Sequence, residues 1–418
     1  MAPSEADAAR LSVRGAIVTP LAAGGTSFYS DAVMRVGADG RVLGIVSPRE
    51  ARGDVVHDLR PGLIVPGFVD AHVHYPQTRI IGKATGPLLT WLQESVFPEE
   101  ARFRRAAYAE AVAGEMIDRM LAAGTTTAAI YSSSSSRATE VLFERLADRG
   151  MRAVLGLTLM DRACPKPLLV PQAHALRESR RLVRRYHGHD RGRLRFAVTP
   201  RFAPSSTRAL LDGAGRLAND EGLIVQTHVA ETKEEERIAR RAHPYATSYL
   251  DIYDRAGLLG PRTVLAHAIH FTRRDHELVR QRGAKIAHCP DSNAFLGSGR
   301  MKLAPFRARG IAVGLGSDVA AGRSFSLQRA MAHAYDTALA LGAPVAPAEL
   351  LRMATLGGAE VLSCADVTGS LEPGKDADFV VVALRSAPAT LDEALATLVF
   401  DSDAARVLRS YVRGVRLG

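Results

Sequence analysis

Cysteine is scarce in this 418-residue chain, which has only Cys164, Cys289 and Cys364. An odd number without paired spacing argues against a disulfide framework and for a reducing compartment, the cytoplasm. Nowhere do about 20 apolar residues run together, so no membrane-spanning helix is expected and no membrane partner. The opening stretch, MAPSEADAARLSVRGAIV, has no long apolar segment behind a basic start, which predicts no signal peptide. Acidic residues fall short of basic ones, 44 against 54, for a formal charge of +10. The arginines are spread along polar helical faces at 177–195 and 234–241. That distribution predicts solvated helices and no nucleic-acid partner, with at most a mild attraction for anionic small molecules.

What remains is ordinary globular composition, 47% hydrophobic and 23% charged. The length suits a barrel of ~250 residues with a smaller companion. Eight short apolar runs follow one another at 63–72, 125–132, 153–160, 194–200, 223–230, 263–268, 284–289 and 312–318. Each is nearly continuous in Val, Ile, Leu, Ala or Thr, as strands buried on both faces are. Helical patterns lie between most of them, at 99–123, 171–186, 205–220 and 232–256. The alternation predicts an α/β fold, a (β/α)8 TIM barrel over 66–367, with a doubly wound open sheet as its competitor. Residues 1–65 and 368–418 carry further short strands, and these distant ends are expected to join in one small β-sandwich domain.

In a parallel barrel, reactive groups gather at the C-terminal ends of strands. The first run ends in His72-Val73-His74, the fifth in His228 with Glu231 just beyond, the sixth carries His267, and the eighth ends in Asp318. Side chains two apart on a strand share a face, so His72 and His74 both aim into the mouth. Alone, H-x-H reads equally well as a structural pair. Gathering several imidazoles and a carboxylate at one mouth would be costly without a cation. Nitrogen and oxygen ligands with an open position suit Zn²⁺, and Fe²⁺ is the alternative. The fourth run, Phe196-Ala197-Val198-Thr199-Pro200-Arg201, has no lysine or acid to bridge a second ion, so one metal is expected. The metal would activate a water. Asp318 would take that water's proton, and Glu231 would protonate a ring nitrogen of the substrate and then its leaving amine. His267 is expected either to bind the metal or to contact the water. His288 is expected in a hydrogen-bonding role beside the site, His243 and His270 as structural, and Cys289 as a small buried hydrophobe. Ser132–Ser136 reads as a flexible loop, since no nucleophile elbow surrounds it.

These residues and their flanks resemble the amidohydrolase superfamily, in particular its guanine deaminase branch. PGFVDAHVHYPQ (66–77) is similar to that family's first metal motif, and GPLLTWLQESVFPEEARF (86–103) to its next block. VTPRFAPS (198–205), THVAET (227–232), HCPDSN (288–293) and GLGSDVAAG (314–322) follow in order, and PGKDADFVVV resembles the closing strand. The resemblance implies His72, His74, His228, His267 and Asp318 as metal ligands, with Glu231, Asp318 and His267 in catalysis. It also implies that Gln77, Arg201 and Phe202 hold a purine, with Trp91 and Leu92 closing the pocket, and that the enzyme is a homodimer. An amide reads one purine edge, and an arginine fork facing a ring carbonyl favours guanine over adenine. Asp291 and Ala321 depart from the family's pattern near the mouth. The implied reaction is guanine and water to xanthine and ammonia. The competing readings are a hydrolase of another amino-heterocycle (8-oxoguanine, cytosine or a triazine) and a non-catalytic scaffold. The cytidine-deaminase route is excluded, because H-x-E with P-C-x-x-C is absent.

Overall fold

The computed structural model describes residues 9–83 and 86–417. Eight parallel strands form the barrel wall: β1 (Phe68–His74), β2 (Thr125–Tyr131), β3 (Arg152–Gly156), β4 (Leu194–Pro200), β5 (Ile224–Val229), β6 (Thr263–His267), β7 (Lys285–His288) and β8 (Val313–Leu315). They hydrogen-bond in chain order, each to the next. The ring closes where β8 leaves the wall, as Asp318 N donates to His72 O at 2.8 Å and His74 N to Val319 O at 3.3 Å. The interior is a packed layer of small and branched side chains, among them Val69, Ala71, Val154, Ile224 and Val264. Residues Val361 and Leu362 cap that layer.

The apolar run at 63–72 serves two sheets. It divides at Gly67, where a Cβ would meet the Thr126 side chain at 2.1 Å. Leu63–Pro66 belongs to the strand Val56–Pro66 of the small domain, and Phe68–His74 to the barrel. Helical patterns were also longer than the helices. The 99–123 pattern becomes the helix Ala106–Ala122, because Arg105 is extended and the residues before it form short turns. The 232–256 pattern breaks at Pro244 into Lys233–Ala242 and Tyr249–Arg255, each capped by a hydroxyl side chain. Ser132–Ser136 is no loose loop: Ser132 and Ser133 are buried, and Ser135 caps the helix Ser136–Arg149.

Both ends of the described chain build one seven-stranded mixed sheet, in the order Val415–Leu417, Val407–Val412, Phe379–Val382, Val56–Pro66, Ala9–Pro20, Thr26–Gly37, Val42–Val46. Only Ala9–Pro20 and Val56–Pro66 pair in parallel. The sheet curls over its own core, since Val42 N donates to Lys375 O and Ala377 N to Gly40 O across four strand positions. Met34, Ile64 and Phe379 fill that core. The segment between the last long strands does not join the sheet. It forms the helix Leu391–Phe400, held to the barrel by Gln328 Nε2 donating to Leu398 O and Ala405 O. Beneath the barrel, Arg152 at the start of β3 reaches Asp376 at 2.6 Å and Asp378 at 3.0 Å, all three buried.

Candidate active site

At the mouth of the barrel the strand ends place the histidines and Asp318 face to face. His74 Nε2 lies 3.2 Å from His72 Nε2 and 3.1 Å from His228 Nε2. Asp318 Oδ1 lies 3.2 Å from His72 Nε2 and 3.4 Å from His74 Nε2. Donor atoms of His72, His228, His267 and Asp318 all fall within 4.8 Å of one another, a group that can hold a metal ion. Four donors at tetrahedral zinc distances stand about 3.3 Å apart, a spacing met by His72 and Asp318 at 3.2 Å and exceeded by His267 and Asp318 at 3.8 Å. The second ring nitrogens fix the tautomers. His228 Nδ1 donates to Arg201 O at 2.7 Å and His267 Nδ1 to Asn293 Oδ1 at 2.9 Å, which leaves both Nε2 lone pairs facing inward. The residues fit a metal.

The electrostatics agree with that geometry. Burial and the neighbouring imidazoles hold His74 and His228 well below the usual histidine range, so both stay neutral. Burial works against the Asp318 carboxylate, yet His72, His267 and His228 outweigh it and hold the group at about 2. Burial pushes Glu231 up, with Ser298 Oγ donating to its Oε1 at 2.9 Å and His267 Nε2 standing 3.4 Å from its Oε2. A buried carboxyl that holds its proton more readily is suited to proton transfer near neutral pH. His267 is opposed by burial but raised by Glu231 and Asp318, between which it sits. His267 and Asp318 adopt left-handed backbone, with φ of 72° and 47°, a strain of roughly 1–3 kcal/mol each that clusters at functional sites.

A pocket of about 370 Å³ opens over these groups. His74, His228, Glu231, His267 and Asp318 form its floor, and Gln77, Trp91, Leu92, Arg201 and Phe202 line it as well. Leu88, Leu296 and Ala321 complete the lining, and of these only Ala321 was singled out by the sequence. His72 lies fully buried beneath. Gln77 Oε1 accepts from Ala320 N at 3.1 Å, which fixes the direction of its amide. Arg201 Nη1 donates to Glu100 Oε1 and Oε2 at 2.9 and 2.7 Å, so the pocket's arginine is half of a buried ion pair.

Two polar residues of the site also escaped sequence reasoning. Glu100 sits in the quoted 86–103 block, but Glu99 beside it is equally acidic and turns instead to Arg102 and Tyr108. Ser298 gave no signal at all. Asp291 is buried and accepts from the backbone N of Arg323 at 2.7 Å and from its guanidinium, so it steadies the loop beyond Asp318. His288 differs from expectation: neither ring nitrogen has a hydrogen-bond partner among the described residues, and burial drives it down to about 3. His243 and His270 bond backbone carbonyls of Ala203 and Ser298. Cys289 is buried with its thiol pushed well up.

A (β/α)8 barrel carrying H-x-H, two further histidines and an aspartate at its strand ends defines a class, and the chain belongs to the amidohydrolase family, whose profile matches residues 63–417. Within that metal-dependent family its relatives are specific. It is 38% identical over 364 residues to a probable guanine deaminase of Deinococcus radiodurans, covering 84% of this chain and 82% of that one. The structure of E. coli guanine deaminase superposes with a TM-score of 0.93 at 32% identity, over 98% of this chain and 99% of the other. Guanine deaminase from C. acetobutylicum, with guanine bound in its active site, gives 0.92 at 30% identity, over 98% and 100%. No helix among the described residues is long and apolar enough to cross a membrane.

Proposed function

We propose that this protein is a guanine deaminase: guanine and water give xanthine and ammonia. The observation that carries the reading is that one pocket gathers both kinds of group: Glu231, His267 and Asp318 at the donor cluster, and the amide of Gln77 and the guanidinium of Arg201 in the same lining. A purine laid between them has its ring carbonyl toward Arg201 and its amino-bearing carbon toward Asp318, with Trp91, Leu92 and Phe202 giving apolar contact to its faces.

His72, His74, His228, His267 and Asp318 would hold one Zn²⁺, which would supply the activation of a water near neutral pH. Asp318 is placed to take a proton from the attacking water as the water's oxygen bonds the ring carbon. Glu231 delivers a proton to the adjacent ring nitrogen, so that the carbon becomes electrophilic. Glu231 then takes the proton of the new hydroxyl and hands it to the exocyclic nitrogen as the carbon–nitrogen bond breaks, so that a ring carbonyl forms and the amine leaves as ammonia, and Asp318 returns its proton to Glu231. His267, between both carboxylates, steadies the charge they exchange. Zinc is the ion chosen for a set of imidazoles and a carboxylate with an open position, and Fe²⁺, which the same donors accept, is the alternative. The domain division at 66 and 368, a homodimer and a cytoplasmic setting belong to the same reading, the last supported by three unpaired cysteines.

Ammonia release from a panel of guanine, 8-oxoguanine, cytosine and an aminotriazine tests it. Guanine is expected to be turned over with the highest kcat/KM. No turnover of guanine beside clear turnover of another ring would overturn it.

A further inference from the structure

Glu100 is a buried carboxylate behind the pocket wall, and the reaction as written gives it no task. It projects from the short helix Phe97–Ala101 and is 2% exposed. Both its oxygens accept from Arg201 Nη1, and Oε1 also accepts from Gln77 Nε2 at 3.4 Å. One side chain thus ties together the two polar groups that face the substrate. Its charge matters as much as its position. A guanidinium is charged at every accessible pH, and in a water-poor pocket an unopposed one binds anions strongly.

We propose that Glu100 is a specificity-determining positioning residue, which aligns Arg201 with Gln77 and cancels the arginine's charge so that the pocket admits neutral purines and rejects anionic ones. The inference rests on the guanine deaminase reading. Deamination replaces an amine by a second ring carbonyl and gives a more acidic ring, so a growing share of the product is anionic as pH rises through neutrality. Beside an isolated arginine that anion would be retained. Beside the Arg201–Glu100 pair it meets a carboxylate close behind the donor, and it leaves.

The test uses metal-loaded wild-type protein, Glu100→Gln and Glu100→Asp, with guanine kinetics and calorimetric binding of xanthine on either side of its ring ionisation. In Glu100→Gln the guanine KM should rise about tenfold with a smaller change in kcat. Xanthine should bind about tenfold tighter on the alkaline side only. Glu100→Asp keeps the charge but withdraws it, so KM should rise while alkaline xanthine binding stays weak. Alkaline xanthine binding unchanged in a folded Glu100→Gln overturns the proposal. Should that variant fail to fold, Glu100→Asp decides: a wild-type KM, or tight xanthine binding, overturns it equally. Wild-type protein that holds metal yet turns over no guanine fails the functional reading itself, a result distinct from either variant's.

Discussion

Glu231 is restrained from three directions. Ser298 holds one oxygen, His267 approaches the other, and its backbone amide donates to Glu235 Oε2 at 2.9 Å. None of these contacts makes it part of the donor cluster, so its chemistry and the metal separate cleanly. Glu231→Gln is expected to keep full metal content and lose about a thousandfold in kcat, measured by elemental analysis beside ammonia release. Loss of metal would reassign the residue as a ligand. At this scale the sequence was most informative where residue type and strand end coincide: imidazoles and carboxylates at the C-terminal ends of apolar runs have few other uses. It was silent where the decisive fact is rotation about a helix. Glu99 and Glu100 are neighbours in one short turn, and only the direction of each side chain sends the second into the pocket wall. Ser298 was hidden because it lies on a loop with no periodicity to mark it, and His288, at a strand end, has no hydrogen-bond partner among the described residues.

The closing seam between β1 and β8 decides whether the ligands meet. Asp70 Oδ1 accepts from His72 N at 3.1 Å and from Ser317 N at 2.9 Å, and its Oδ2 accepts from Ser317 Oγ at 2.5 Å. The same carboxyl therefore grips the residue two positions ahead of it and the residue before Asp318. Asp70→Ala should leave two buried amides unsatisfied, at a cost of about 2–3 kcal/mol. It should also weaken metal binding at least about tenfold by loosening His72 against Asp318. Thermal melts and metal titration would read both, and Asp70→Asn, which keeps an acceptor for the amides, should do less. The strands were legible because burial on both faces leaves a continuous apolar run. Element ends were not. Gly67 divides one run between two sheets through a close approach to Thr126, and the helix expected through 99–123 is cut by an extended residue that no local pattern announces.

Across the whole molecule, the barrel and the small sheet are tied by charge as well as by apolar contact. Arg152 holds Asp376 and Asp378 in a buried cluster, and Arg413 reaches Asp376 at 2.8 Å from the other side. Arg152→Met should leave Asp378 buried without its cation, lowering stability by about 3 kcal/mol or more while kcat per folded molecule stays at the wild-type value. Urea unfolding beside activity would separate the two effects, and a fall in kcat would mean that the cluster reaches the mouth of the barrel.

The pairing of Val56–Pro66 with Phe379–Val382 sets a timetable for synthesis. Some three hundred residues separate the two strands, so the ribosome has translated almost the entire barrel before the partner emerges. At usual elongation rates that wait is on the order of 15 to 60 seconds. Throughout it the nascent chain presents a bare strand edge, the kind of surface that captures other chains. Slower elongation between the two strands is therefore expected to lower the yield of folded protein, measured as soluble enzyme per chain made.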